Sequence, residues 1–359
     1  MQLSSRRAGT RRLALAGLLA VAVAGAAALA WPAFGTRPGL PLPAAVAVVG
    51  DGASSMERVD VRFDERRLSG ALVLDDLSPL RRPASAPAGS SRLHEETLVV
   101  GVALGEEAKA YPITVLQRHE IVNDDVGGVP VLVTWCPVCG TALVHDRRID
   151  GRTYSFGNYR ALYENAMTWY DHETLSLWSQ PSGVALRGPL AGVRLGMLPA
   201  RLATWGDWKR EQPHTLVLAE GFGSDSEERT NPLADSPEAF VIGVVVAGGA
   251  KAYPLDVIAG AAVNDEVAGV PVLVYARDRG ASVYVFDRRV SGTALGFEWA
   301  GDRLRDRETR SLWDASTGEA VEGRWKGAVL RRVPYGTAFG WAWRAFYPDA
   351  GVYEPPRES

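Results

Sequence analysis

One stretch of this chain is written twice. Val122–Val133 returns as Val263–Val274, with changes only at Asp125 (Glu266) and Gly127 (Ala268). The likeness extends both ways. Upstream, Ala108–Pro112 matches Ala250–Pro254; downstream, Asp146–Arg148 matches Asp287–Arg289, Leu177-Trp178 matches Leu312-Trp313, and Trp208 matches Trp343. The unit is roughly 120 residues long, well beyond the 20–50 residues of solenoid repeats, and large enough for a core of its own. The chain is thereby restricted to two copies of one domain, for which a pseudo-twofold pair is the simplest arrangement. Residues kept in both copies are candidates for fold. Polar residues kept in only one are candidates for chemistry.

The pattern inside the unit is that of sheet. Val99–Leu104 is an apolar run, and Ala108–Tyr111 follows Glu106-Glu107 as in a hairpin. Val129–Trp135 is apolar and β-branched, and Thr141–Arg147 alternates. Asp150-Gly151 and Ser291-Gly292 mark tight hairpin turns. Ile113–Glu120 predicts a short helix; Pro199–Arg210, with Trp205 and Trp208 on one face and Pro213 beyond, predicts a longer one. The expected fold class is α+β, mainly antiparallel β, in two pseudo-symmetric copies. The expected boundaries are residues 93–222 for the first repeat, 223–236 for a linker and 237–355 for a second, degenerate repeat.

Residues 1–31 form an export signal or membrane anchor by the same kind of reading. Arg6, Arg7, Arg11 and Arg12 precede an uncharged apolar stretch, Leu13–Ala30, and Ala28-Leu29-Ala30 is a small-residue cleavage site. The positive flank places the remainder outside the cytoplasm, in the periplasm or at the cell surface, whether or not the segment is removed. If it is kept, the membrane is a partner. Residues 32–92, rich in Pro, Ala, Gly and Arg, read as a tether that docks only partly. A formal net charge of −3 with mixed signs gives no footprint for nucleic acid.

Subtracting one copy from the other isolates the chemistry. Trp178/Trp313, Trp208/Trp343, Tyr111/Tyr253 and Asn123-Asp124/Asn264-Asp265 are kept, as buried aromatics and turn-forming Asn-Asp would be. The losses are polar. Cys136 and Cys139, the only cysteines, align with Arg277 and Gly280; His145 aligns with Phe286 and Ser179-Gln180 with Asp314-Ala315. The segment holding His119-Glu120 becomes Ala259–Ala262 with one residue fewer. Asn158–Asn165, with Tyr159, Tyr163, Glu164 and Asn165, has no full counterpart and is expected to line the same cavity.

Three chemistries fit the Cys136-Pro137-Val138-Cys139-Gly140 turn. As a metal knuckle, its two thiolates reach one ion, and His119, His145 or His172 completes the shell; copper and zinc both suit such donors. As a redox pair, it resembles thioredoxin-type sites, although the Asp150-Gly151 hairpin follows where that fold has a long helix. Its third use is a disulfide or closed zinc clip that pins the loop. In the metal reading Cys136, Cys139, His119 and His145 are ligands and Glu120 a supporting or general-base group, with Tyr163, Asn165, Ser179 and Gln180 as polar wall. In the thiol-oxidoreductase reading Cys136 attacks and Glu120 or His119 accepts the proton. A non-catalytic binding module using the cleft between the copies is the third class.

Several of these segments resemble one family. Ala110–Pro112, His119–Asp124, Cys136–Gly140, Asp146–Arg148, Leu177–Gln180, Pro189–Gly192 and Ala338–Trp343 together are similar to the uncharacterised bacterial and archaeal family catalogued as domain of unknown function 3179. The likeness runs from about Leu77 to Tyr353. It implies a shared site around His119, Glu120, Cys136 and Cys139, often behind an export signal, and no established reaction. Arg160–Asn165 departs from the family pattern, with Glu164 where a small polar residue is expected.

Overall fold

Two hairpin-rich halves follow one another with the same order of elements. The structure, a computed structural model, describes residues 57–70, 73–219, 230–277 and 282–356; the expected export segment, most of the expected linker and Gly280 lie outside these. In the first half the elements are β1 (Leu98–Leu104), β2 (Glu107–Pro112), α1 (Ile113–His119), β3 (Ile121–Val126), β4 (Val129–Cys136), β5 (Thr141–Asp146), β6 (Phe156–Tyr163), β7 (Ala166–Asp171), β8 (Leu177–Ser179), β9 (Arg201–Thr204) and α2 (Trp205–Glu211). In the second they are β10 (Phe240–Val246), β11 (Gly249–Pro254), α3 (Leu255–Ile258), β12 (Val263–Val267), β13 (Val270–Arg277), β14 (Ser282–Asp287), β15 (Phe297–Ala300), β16 (Arg303–Asp306), β17 (Leu312–Trp313), β18 (Tyr335–Phe339) and α4 (Gly340–Phe346). The fold is β-rich, mostly antiparallel, with short helices.

The register is common to both halves. β4 pairs with β5 so that Leu132 faces His145 and Cys136 faces Thr141; β13 pairs with β14 so that Leu273 faces Phe286 and Arg277 faces Ser282. β4 is apolar along its whole length because both faces are covered. Val131, Val133 and Trp135 enter one core and Leu132 and Cys136 another, as side chains alternate across a strand. Both cores also contain second-half residues, among them Ile242 and Val274 in the first and Val241 and Trp343 in the second. The halves therefore share their cores. β5 lies against β18, with Phe339 N donating to Cys139 O and Thr337 Oγ1 to Gly140 O, both at 2.8 Å. β9 meets the second half through Leu202 N, which donates to Tyr335 Oη at 2.9 Å, and Thr204 N, which donates to Ser282 Oγ at 3.4 Å.

The residues kept in both copies hold the fold. Asn123 clamps the backbone of Phe156 through both amide atoms at 2.8 and 2.7 Å, and Asn264 does the same to Phe297 at 2.7 and 2.6 Å. Asp124 accepts from Lys109 and Tyr111, and Asp265 from Lys251 and Tyr253. The Asn-Asp pairs thus sit on strands, not in the turns expected of them, because their side chains bridge neighbouring strands instead of their own backbone. The Trp178 and Trp313 indoles donate to Asp171 and Asp306 at 2.9 and 3.0 Å. Asp150-Gly151 and Ser291-Gly292 have positive φ at both positions, as the expected hairpin turns require.

Two expectations are corrected. The helix expected over Pro199–Arg210 begins only at Trp205, capped by Thr204 Oγ1; Arg201–Thr204 is a strand paired with β1. The segment expected as a loose tether is stitched down at four places. Glu57–Arg58 pairs with Val193–Arg194, Leu68–Ser69 with β6, Leu80–Arg81 with β3, and Ser85–Pro87 with Leu216–Leu218. Such two- and three-residue edge strands carry no periodicity, and Pro is tolerated there, so composition alone conceals them. Among the described residues no helix is long and apolar enough to cross a membrane.

Candidate functional site

Glu120 ends α1 in a left-handed conformation, φ +57°, which an ordinary side chain adopts at a cost of about 1–2 kcal/mol. The second half makes the bend after α3 with Gly260, φ +79°, where no such cost arises. The bend thus belongs to the fold, and the carboxylate is an addition to it. Trp135 N donates to Glu120 O at 2.9 Å, which sets Glu120 beside the strand position preceding Cys136. The carboxylate accepts a short hydrogen bond from Asn158 Nδ2 on β6. Burial pushes Glu120 up to about 7, and the Asn158 hydrogen bond only partly opposes it. A carboxyl held there exchanges protons at neutral pH.

The two cysteines are bonded to each other, with their Cα atoms 5.6 Å apart. Gly140 closes the turn at φ +64°, and a Cβ there would lie 2.6 Å from the Phe240 ring, so both backbone and packing demand glycine. The sulfurs are buried, while Pro137 and Val138 present the outer surface, Val138 at 51% exposure. Cys139 N–H points at Cys136 Sγ at 3.3 Å. Cys139 Sγ lies 3.8 Å from Gln180 Oε1, and the Gln180 amide donates to Thr134 Oγ1 at 3.1 Å and Thr141 O at 3.0 Å.

The other predicted residues disperse. His145 shares a face with Cys136 but lies four ladder positions away, about 13 Å by strand rise. It is fully buried, edge-on to Trp169, with Nδ1 unpartnered among the described residues, and burial lowers it to about 3. His119 is half-buried and its Nδ1 donates to Ser78 O at 2.9 Å. His172 belongs to a separate group, its Nε2 at 2.9 Å from Asp75 Oδ2 and 3.1 Å from Tyr170 Oη. The four expected metal ligands are therefore not brought to one point, and among the described residues no three His, Cys, Asp or Glu side chains cluster as a metal site.

The expected polar wall is reassigned as well. Gln180 holds its place, and Ser179 is buried with Oγ unpartnered among the described residues. Tyr163 instead stacks on Phe63 of the N-terminal segment, and Asn165 is exposed in the β6–β7 turn, because a hairpin turn points its side chains away from the core. Glu164, the family departure, pairs with Arg67. Thr134 is the residue that sequence reasoning missed. Its replacement by Tyr275 in the second copy was the available signal.

The arrangement defines a class: a two-repeat, mainly antiparallel β protein whose first repeat carries a buried disulfide turn beside a carboxyl poised near neutrality. The family described as Protein of unknown function (DUF3179) matches residues 75–350, and the chain belongs to that family. No curated protein and no solved structure matches it.

Proposed function

We propose that the first repeat is a dithiol–disulfide exchange site acting outside the cytoplasm, in a protein secreted or held by its N-terminal segment. One observation carries this reading above that of a structural clip: β13 and β14 pair in the same register as β4 and β5 with Arg277 and Ser282 at the end of the ladder, and no cysteines. The hairpin does not need the disulfide. Glu120 beside it, in a conformation the fold elsewhere gives to glycine, supplies a proton acceptor and donor at neutral pH. The second repeat, packed on the first by reciprocal β5–β18 and β14–β9 contacts, is in this reading a degenerate pseudo-twofold partner that buttresses the turn.

The exchange balances without a cofactor. In the direction that reduces the partner, a thiolate of the reduced pair attacks a sulfur of the partner disulfide and expels the other partner sulfur. The second thiol of the pair then loses its proton to Glu120, attacks the mixed disulfide and releases the remaining partner sulfur. Two electrons pass from the pair to the partner, and the partner's two sulfurs leave as thiols. In an oxidising compartment the pair rests as the disulfide. A Cys139→Ser variant tests the reading: Cys136, left without its resolving thiol, is expected to accumulate as a mixed disulfide with a disulfide-containing peptide. Failure to form this adduct in the folded variant overturns exchange. Stoichiometric copper or zinc on the reduced wild type, lost in the Cys136→Ser/Cys139→Ser variant, would restore the metal reading in its place.

A further inference from the structure

Gln180 is fully buried, and its amide has only one workable orientation. Nε2 donates to Thr134 Oγ1 and to Thr141 O, while Thr134 Oγ1 donates onward to Leu143 O at 3.3 Å. Reversing the amide would set an oxygen against the Thr141 carbonyl. Oε1 is thereby turned to Cys139 Sγ. A carbonyl oxygen accepts and cannot donate, so it pairs with an S–H and opposes a thiolate. Cys136 has the opposite surroundings, since its sulfur receives the Cys139 N–H, a donor that stabilises negative charge on sulfur.

We infer that Gln180 is a positioning residue that polarises the reduced pair, keeping Cys139 as the proton-bearing thiol and leaving Cys136 as the thiolate that forms the mixed disulfide. The inference rests on the exchange reading and assigns its order. Cys136 attacks first; Cys139 then gives its proton to Glu120 and closes the disulfide as the partner's second sulfur departs. The S–H···O contact exists only when the pair is reduced, so Gln180 also favours dithiol over disulfide. The second half, with no thiols, has no such amide. Ala315 stands in place of Gln180, and its carbonyl accepts from Tyr275 Oη.

The test is site-resolved alkylation of the reduced wild-type protein by iodoacetamide across pH 5–9, with Gln180→Met, similar in length but without the amide, run in parallel. Cys136 is expected to label roughly tenfold or more faster than Cys139 at neutral pH. In Gln180→Met the gap should narrow roughly 3- to 10-fold, the worth of one neutral hydrogen bond, and the equilibrium with a reference dithiol should move by a similar factor toward the disulfide. Equal labelling of the two wild-type cysteines, or faster labelling of Cys139, overturns the inference, and this arm holds even if Gln180→Met fails to fold. So does a Gln180→Met equilibrium unchanged within about twofold. A wild-type pair that cannot be reduced in the folded protein sinks the exchange reading and this inference together. A pair that reduces but labels evenly sinks only the assignment to Gln180.

Discussion

Where the first half carries Thr134, His145 and Gln180 around its hairpin, the second carries Tyr275, Phe286 and Ala315. Tyr275, Tyr284 and Phe286 stack there, with the Tyr275–Tyr284 centroids 4.8 Å apart, and fill the space that the first half gives to polar groups. The backbone is alike in pairing and register, so the polar groups of the first half are not what the fold requires. Aromatic stacking adds about 0.5–1.5 kcal/mol per pair beyond the area buried. A buried, unpartnered imidazole or hydroxyl adds a cost instead. The first half therefore gives up stability that the second keeps, and it does so at the place where the sulfur lies.

The comparison can be broken most severely at the cysteines. Cys136→Ser/Cys139→Ser is expected to abolish peptide disulfide exchange while the tryptophan fluorescence of the fold persists, since the second hairpin stands without the bond. Next in size, Glu120→Gln should slow exchange roughly 100-fold and remove the step near pH 7 from its pH profile, measured with the same peptide. The same variant sharpens the stability argument. A carboxyl raised from its ordinary 4.5 to about 7 in the folded protein favours folding below pH 4.5, and that contribution is lost as pH rises to about 7. Glu120→Gln should thus be more stable than wild type at pH 8 by about 2–3 kcal/mol in urea unfolding, with the difference shrinking toward pH 4.5.

Smaller effects follow from importing the second half's solution. His145→Phe should leave exchange within about twofold, because the ring sits about 13 Å along the ladder from the sulfurs. His145 is lowered from 6.5 to about 3, so the folded protein excludes a proton that the unfolded chain takes up, and stability falls as pH drops through that window. The phenylalanine variant should lack this loss, read as a flatter acid limb of thermal unfolding. Loss of exchange in His145→Phe would return His145 to the site.

Much of this was legible in the sequence for a physical reason. A repeat exposes what the fold needs, and the Trp and Tyr residues kept in both copies are buried on corresponding strands. Asp150-Gly151, Gly140 and the α1 helix could be read because turns and caps depend on local chemistry. The convergence of His145 with the sulfurs could not. Alternation shows which face a residue takes, and Cys136 and His145 do share one, but it does not show how far along the ladder the residue lies. The docking of residues 57–92 was hidden because it is made of edge pairings too short for any period. The poise of Glu120 depends on burial between α1 and β6, segments far apart in sequence.

The central claim is that the Cys136–Cys139 bond is an exchangeable pair and not a clip. It is met most directly by titrating the folded protein against reduced and oxidised dithiothreitol, counting free thiols by mass after alkylation, with tryptophan fluorescence as the monitor of fold. A reversible two-electron transition, with fluorescence unchanged across it, is the predicted result. A pair that opens only as the protein unfolds would contradict it.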